Sequence, residues 1–221
     1  MNRDIPAAEG APGGAPDGAV SDGAPAGASG GQRGRPRSAE ADRAILAATA
    51  DLLASRGLAD MSIEEIAARA GVGKTTIYRR WPSKGLLALD AFVAVFAEQQ
   101  PLPDTGTLRG DLIAALTAWV RAVTQTSMGR MLTGLIAEAQ HDPSLRAAWR
   151  ERVLEPLRSQ HRIMLDRAIG RGEIPATVDQ EVVLDLFFGS AQHRLLLGHL
   201  PLTDEFISQV VDVILDGIRA R

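Results

Sequence analysis

The sequence predicts an all-α fold, with a small N-terminal module of three helices followed by a larger helical bundle. Two observations lead to this prediction. From Ile45 to Ile218, apolar residues recur at spacings of three and four, which is the period of a helix with one buried face. No segment shows the alternation of apolar and polar residues that indicates a half-buried strand.

The charge is distributed unevenly along the 221 residues, although the formal net charge is only −3. Residues 32–84 carry ten Lys or Arg against six Asp or Glu, whereas residues 85–221 carry thirteen against seventeen. A small basic region joined to a larger acidic one is expected when only one part of a protein meets phosphate. With 45% hydrophobic residues, the chain also has ample apolar surface for a core.

The composition excludes several classes of site. The sequence contains no cysteine, so it forms neither disulfides nor thiolate metal sites. Its four histidines show no metal-ligand spacing with carboxylates, and no nucleophile stands in a pattern with a base. We therefore expect no metal, no cofactor and no catalytic residues. No apolar run suggests a signal peptide or a membrane span, so we expect a cytoplasmic protein without membrane contact.

The first 37 residues are rich in Ala, Gly and Pro and are expected to be disordered. Arg33, Arg35 and Arg37 place three cations on a predicted extended arm just before the first helix. Such an arm can enter the minor groove of DNA, where narrow A·T stretches concentrate negative potential. A solubilising linker explains the same residues, and the sequence does not choose between the two interpretations.

Capping and turn residues divide the next segment, 38–84, into short helices. The first helix is predicted to begin near Ser38 and to stop at Gly57. Ser62 and Glu65 form a capping-box pattern that starts a second helix, which runs to Ala70. A third helix is predicted over residues 74–80, and Ser83 caps a fourth.

The second and third helices have the spacing of a helix-turn-helix. Ala67 is small where the two helices approach, Gly71 permits the left-handed turn, and Ile77 anchors the third helix in the core. The residues left outside are donors for base edges and phosphates. These candidate DNA-binding residues are Lys74, Thr75, Thr76, Tyr78, Arg79 and Arg80, with Lys84 just beyond.

The runs SIEEIA at 62–67 and GVGKTTIYRRWPSK at 71–84 resemble the DNA-binding domain of the TetR family of bacterial repressors. The resemblance implies that the third helix reads bases, while Tyr78 and Lys84 contact phosphates. Trp81 stands where the family usually has Phe. The resemblance also implies a homodimeric, ligand-responsive repressor that binds a palindromic double-stranded DNA operator and carries a cavity for a small-molecule effector.

Two other classes of function remain as alternatives. Gly73-Lys74-Thr75 looks like part of the phosphate-binding loop of a nucleotide-binding enzyme, but such a loop follows a buried strand, and residues 62–70 are predicted to form a capped helix. An all-helical interaction protein without DNA binding is the other alternative. In that case the cations are a solvated helix face, and Thr75 or Thr76 serves only as a helix cap.

Residues 85–221 are predicted to form the effector-binding and dimerisation domain. Amphipathic stretches follow one another at 108–126, 129–140, 143–170, 179–199 and 203–219, and Pro156 is expected to kink or split the third of these. The last two stretches are the candidates for a four-helix dimer interface. Candidate effector contacts, each of which ordinary core or surface also explains, are Trp119, Met128, Met131, Trp149, His161, Met164, Phe188 and His193.

Overall fold

The computed structural model describes residues 35–96 and 102–218, and all regular structure in these two segments is helical. This confirms the predicted all-α fold. Ten α-helices and one π-turn follow in the order α1 (Arg35–Arg56), α2 (Ile63–Ala70), α3 (Lys74–Tyr78), α4 (Lys84–Phe96), α5 (Leu108–Gln125), α6 (Met128–Ala139), α7 (Pro143–Trp149), the π-turn (Arg150–Leu154), α8 (Glu155–Gly170), α9 (Gln180–Leu197) and α10 (Asp204–Ile218).

Helix α1 begins at Arg35, three residues before the predicted start at Ser38. Arg35 and Arg37 therefore belong to the first helical turn, and the prediction of an extended arm is wrong for these two residues. Pro36 is compatible with this start, because the first turn of a helix does not need the N–H that proline lacks. Arg33 and the remainder of the predicted disordered tail lie outside the described residues.

The N-terminal module is built on α1, which packs against both α2 and α4. Ile45 and Leu52 of α1, Ile66 of α2 and Ile77 of α3 are fully buried together. Each such side chain contributes about 1.5–3 kcal/mol by leaving water. This shared core, rather than the propensity of five- and eight-residue helices, holds α2 and α3 in place.

Helix α4 connects the two parts of the chain, since it packs on α1 and also on α6 and α7. Leu87 and Phe92 are buried on it. Helix α6 is also fastened to α1 directly, because Arg130 Nη1 donates to the carbonyl oxygens of Ala54 and Ser55 at 3.1 and 2.9 Å. A cation at the last carbonyls of a helix complements the negative end of its dipole.

The predicted disruption around Pro156 is confirmed and takes the form of a π-turn. The N–H of Glu155 donates to the carbonyl of Arg150, five residues back, instead of four. Pro156 has no N–H and cannot continue the α-helical ladder, so a wider turn just before it accommodates the break. The π-turn joins α7 to α8 and turns Val153 into the core.

The last two helices pack against the rest of the bundle, with α10 lying on α5 and α9. Arg109 on α5 pairs with Asp212 on α10 at 2.8 Å. Val183 and Phe187 of α9 and Val211 and Ile214 of α10 are buried in this packing. The two helices therefore keep their opposite faces for other contacts.

Candidate DNA-binding surface and ligand cavity

A tight left-handed turn joins α2 to α3. Gly71 has φ 66° and ψ 32°, and the N–H of Val72 donates to the carbonyl of Ala67 at 3.0 Å. Left-handed backbone is open to glycine and strained for most other residues. Ala67 is buried at the helix contact, so the structural roles predicted for Ala67 and Gly71 are confirmed.

We expect Gly71→Ala to lower the free energy of unfolding by about 1–2 kcal/mol, measured by urea titration. A Cβ at Gly71 meets nothing within 4 Å, so the cost comes from the backbone alone. The matched control is Gly73→Ala, because Gly73 has φ −77° and its Cβ would meet only Thr75 Oγ1 at 3.7 Å. We expect the free energy of unfolding of the control to stay within about 0.5 kcal/mol of the parent value. Equal losses in the two variants would contradict this account.

The N-terminus of α2 shows half of the predicted capping box. Ser62 Oγ accepts from the N–H of Glu65 at 3.2 Å, as predicted. The carboxylate of Glu65, however, accepts from Arg56 at 2.8 Å and from Arg69 at 3.3 Å instead of returning to the cap. Glu65 thereby ties α2 to the end of α1.

The outer side of α3 carries the exposed polar residues Lys74, Thr75, Tyr78 and Arg79, while Thr76 is half-buried. Tyr78 is 53% exposed even though it is aromatic. Lys74 Nζ donates to Glu64 Oε1 at 2.8 Å, and this hydrogen bond raises the pKa of Lys74 and lowers the pKa of Glu64. Lys74 remains charged, and its side chain is still open to solvent.

Two of the predicted DNA-binding cations also make contacts within the protein. Arg80 pairs with Asp42 of α1 at 2.7 Å, and only 18% of its side chain is exposed. Lys84 Nζ donates to the carbonyls of Ala59 and Met61 at 3.3 and 3.1 Å. Arg80 thus braces the end of the recognition segment, residues 74–80, against α1, and Lys84 holds the loop between α1 and α2.

Sequence reasoning missed a carboxylate that receives donors from both parts of the chain. Trp81 Nε1 donates to Asp90 Oδ2 at 2.8 Å, and Arg152 Nη1 of the π-turn donates to Asp90 Oδ1 at 2.6 Å. Trp81 is buried, as expected for its packing position. No local pattern pairs Asp90 with Arg152, because the two are 62 residues apart.

A cavity of about 490 Å³ lies among α4 to α9. Its lining is mainly apolar and aromatic, with two glutamines, two arginines and one aspartate. The lining residues are Phe92, Phe96, Trp119, Met128, Leu132, Ile136, Ala139, Gln140, Arg146, Trp149, Val153, Leu154, Leu157, Arg158, Leu184, Asp185, Phe188, Gly189 and Gln192. This is the size and character of a site for a drug-sized molecule.

Comparison with known proteins assigns the family. Residues 45–98 match the family described as "Bacterial regulatory proteins, tetR family", and residues 102–214 match "Tetracyclin repressor-like, C-terminal domain". The chain belongs to the TetR family. It is a ligand-responsive, DNA-binding transcriptional regulator with a helix-turn-helix domain and a ligand-binding C-terminal domain.

Relatives of this TetR-family chain match it over most of its length. It is 39% identical to the DNA-binding transcriptional repressor TetR of Mycobacteroides abscessus, over 83% of this chain and 94% of the relative. It is 33% identical to the uncharacterized HTH-type transcriptional regulator YdeS of Bacillus subtilis, over 86% and 95%. The crystal structure of the TetR family transcription regulator SCO0332 is 38% identical, with a TM-score of 0.71, and the match covers 82% of this chain and 100% of that one.

The local structure does not match the phosphate-binding loop of a nucleotide-binding enzyme. The residues before Gly73 form α2 and the left-handed turn, not a strand, and Lys74 is paired with Glu64. Among the residues that the structure describes, no group of three or more His, Asp or Glu could hold a metal ion. In the same described segments, no helix has both the length and the apolar character needed to cross a membrane.

Four of the eight residues predicted for the effector site line the cavity, and four do not. Trp119, Met128, Trp149 and Phe188 form part of its wall. Met131 and Met164 are buried in the core instead, and His193 is exposed beside His199.

His161 lies behind the cavity wall, with its ring 4.7 Å from that of Phe188. Burial lowers the pKa of His161 and favours the neutral ring. Its Nδ1 lies 2.7 Å from the carbonyl of Leu157. Because a carbonyl only accepts, Nδ1 carries the proton, and the histidine acts as a core residue with a satisfied donor.

Proposed function

We propose that the protein is a homodimeric repressor that occupies a roughly palindromic operator and is released when a small molecule enters the cavity. The outer side of α3 carries this proposal: Lys74, Thr75, Tyr78 and Arg79 are exposed there, while Ile77 is fully buried on the opposite side. A short helix anchored on one side and lined with donors on the other suits the major groove. The Mycobacteroides relative is named a repressor, which supports the same role here.

The candidate residues divide by chemistry. Thr75, Thr76 and Arg79 are the candidates for base edges, while Lys74, Tyr78 and Lys84 provide donors for phosphate oxygens. Arg80 contributes charge from its place against Asp42, close to the same surface. Arg33 remains a candidate for the minor groove, whereas Arg35 and Arg37 lie in the first turn of α1 and not on the extended backbone for which that contact was predicted. With DNA as its target, the protein acts in the bacterial cytoplasm and needs no catalytic residues.

The apolar side chains that α9 and α10 leave exposed to water support a dimer. Val182, Leu186 and Leu196 of α9 and Val213 of α10 are exposed. Exposed apolar side chains grouped on two helices that pack together favour an interaction site. We assign it to a second copy of the chain, because a two-fold axis between α9–α10 pairs presents two recognition helices to two half-sites. Val183 and Phe187 of α9 are instead buried within the protomer, so they are not available to a second copy.

Release by a ligand requires that the ligand prefer one conformation over another. A molecule that binds equally well to the DNA-bound and the free conformation does not shift the equilibrium between them, however tightly it binds. The cavity meets this requirement in principle because helix α4 lines it through Phe92 and Phe96 and also packs on α1. A ligand that displaces α4 therefore changes the support of the helix-turn-helix.

Selection of bound fragments from bacterial genomic DNA by the purified protein identifies the operator, and fluorescence anisotropy then measures its affinity. We expect Arg79→Ala to weaken operator binding by about tenfold, since one good contact of arginine with a base or phosphate is worth about 1–3 kcal/mol. Arg121→Ala is the matched control, because Arg121 is an exposed arginine on α5. Equal affinities of the two variants would contradict the role of Arg79. No sequence preference in the selection would favour an interaction protein without DNA binding.

A further inference from the structure

The cavity holds an unusual share of the aromatic residues of the protein. The chain has five Phe, three Trp and one Tyr in 221 residues. Five of these nine line the cavity, namely Phe92, Phe96, Trp119, Trp149 and Phe188. Aliphatic residues make up most of the remaining core, which includes only three other aromatic residues, Trp81, Phe187 and Phe206.

The aromatic rings surround the cavity from several helices. The rings of Phe92 and Phe96 on α4 are stacked, with centroids 5.5 Å apart, and Trp149 on α7 lies 5.5 Å from Phe92 at an angle of 35°. Phe188 is on α9 and Trp119 on α5. Phe96, Trp149 and Phe188 are only half-buried. Ring surface is therefore available to a bound molecule, and aromatic pairs prefer offset or edge-to-face contact.

The charged groups in the lining already have partners. Arg158 donates to Asp185 at 2.6 Å and to Glu181 at 2.7 Å. Arg146 donates to the carbonyls of Ala139 and Gln140 at the end of α6, at 2.9 and 2.8 Å. Two carboxylates therefore neutralise Arg158. Among the described lining residues, an anion would meet only Arg146 without a carboxylate partner, and two N–H groups of Arg146 are already taken by carbonyls.

The uncharged polar groups in the lining are the side-chain amides of Gln140 and Gln192. Gln140 Nε2 donates to the carbonyl of Ile136 at 3.1 Å, which leaves its carbonyl oxygen as an acceptor. Amides recognise a hydroxyl, carbonyl or amine without requiring charge. From these observations we propose that the cavity binds a neutral aromatic molecule bearing one or two hydrogen-bonding groups. Only its effect on the operator rests on the proposed function.

Three probes distinguish this ligand class from its alternatives without DNA. N-phenyl-1-naphthylamine is neutral and aromatic, 1-anilinonaphthalene-8-sulfonate adds a negative charge to the same rings, and stearate is an anion with an aliphatic chain. We expect the neutral amine to bind saturably, one per protomer, at least tenfold more tightly than the sulfonate, and we expect stearate not to displace it. Preference for either anion, or saturable binding of none of the three, overturns the proposal.

Ring-removing variants locate the binding to this cavity. We expect Phe96→Leu combined with Phe188→Leu to weaken binding of the neutral amine by about tenfold, because each ring contact adds about 0.5–1.5 kcal/mol beyond its area. Phe206→Leu is the control, since Phe206 is a buried ring outside the cavity, beneath the Arg194 guanidinium. An equal loss in the control overturns the assignment. If the amine binds but does not release the operator, the ligand class stands and only the release mechanism of the proposed function fails.

A second, independent inference rests on the hydrogen bonds of the Asp90 carboxylate. One of its oxygens accepts from Trp81, directly after the recognition segment, and the other accepts from Arg152 in the π-turn. Val153 and Leu154, next to Arg152, line the cavity, as does Phe92, two residues after Asp90. We infer that Arg152 and Asp90 are positioning residues that set the placement of α3 through Trp81. The π-turn suits this role because Pro156 keeps it from closing into a regular α-helix.

A double-mutant cycle on operator affinity tests this connection without any ligand. We expect Arg152→Ala to change the affinity about threefold in the parent protein and to have no further effect in a Trp81→Phe background, which lacks the indole N–H. Arg150→Ala, at an exposed arginine of the same π-turn, is the control and should add independently to Trp81→Phe. Purely additive effects of Arg152→Ala and Trp81→Phe, or no effect of Arg152→Ala in the parent, overturn the inference.

Discussion

Leu186→Glu is expected to convert the dimer to a monomer and to weaken operator binding by about 100-fold or more, since joining two half-site contacts gains at least that much. Leu186 lies on α9 with 55% of its surface exposed, among the apolar residues proposed to meet the second copy. Burying an unpaired carboxylate at the interface costs more free energy than burial of the neighbouring apolar side chains provides. Sedimentation equilibrium measures the mass, and anisotropy measures the affinity for the full operator and for one half-site.

The matched control is Ile163→Glu. Ile163 is 45% exposed on α8, outside the α9–α10 face, so the same charge added there should leave both the mass and the operator affinity unchanged. A Leu186→Glu protein that remains dimeric, or an Ile163→Glu protein that dissociates, would mean that another face of the bundle forms the dimer. Loss of the dimer with unchanged operator affinity would instead contradict the need for two half-sites.

Features set by neighbouring residues were predictable from the sequence. Ser62 caps α2 because its hydroxyl reaches an amide three residues ahead, and Gly71 ends the helix because its own backbone can be left-handed. Pro156 disrupts its helix because proline has no N–H to donate to the helical ladder. Each of these outcomes depends on a few bonds of local geometry, so residue type and spacing were sufficient to predict them.

Features set by distant partners were not predictable in this way. Arg79 and Arg80 are adjacent and chemically identical, yet Arg79 is exposed while Arg80 is drawn against Asp42 on α1. Lys84 meets carbonyls 23 and 25 residues earlier in the chain. The cavity shows the same limit, because Trp119 and Met131 both have the spacing of a buried helix face. Only the packing of the helices decides which of the two lines the cavity.

Ile77→Ala is expected to lower the free energy of unfolding by about 2–5 kcal/mol, the range found for removing most of a fully buried aliphatic side chain. Ile77 is completely buried and is the only buried residue of the five-residue helix α3. A helix this short has almost no stability of its own, so loss of its anchor frees the whole recognition segment. Urea unfolding measures the stability, and amide hydrogen exchange in residues 74–81 measures local opening.

Variants of Ile77 and Arg79 distinguish a residue that anchors α3 in the core from one that contacts DNA directly. Ile77→Val removes one methylene and should cost about 0.5–1.5 kcal/mol while leaving the operator affinity close to the parent value. Ile77→Ala should lose operator binding together with exchange protection, whereas Arg79→Ala should lose binding while its stability and protection remain unchanged. If Ile77→Ala kept full protection in α3, the core of α1, α2 and α4 would not be what holds the recognition helix in place.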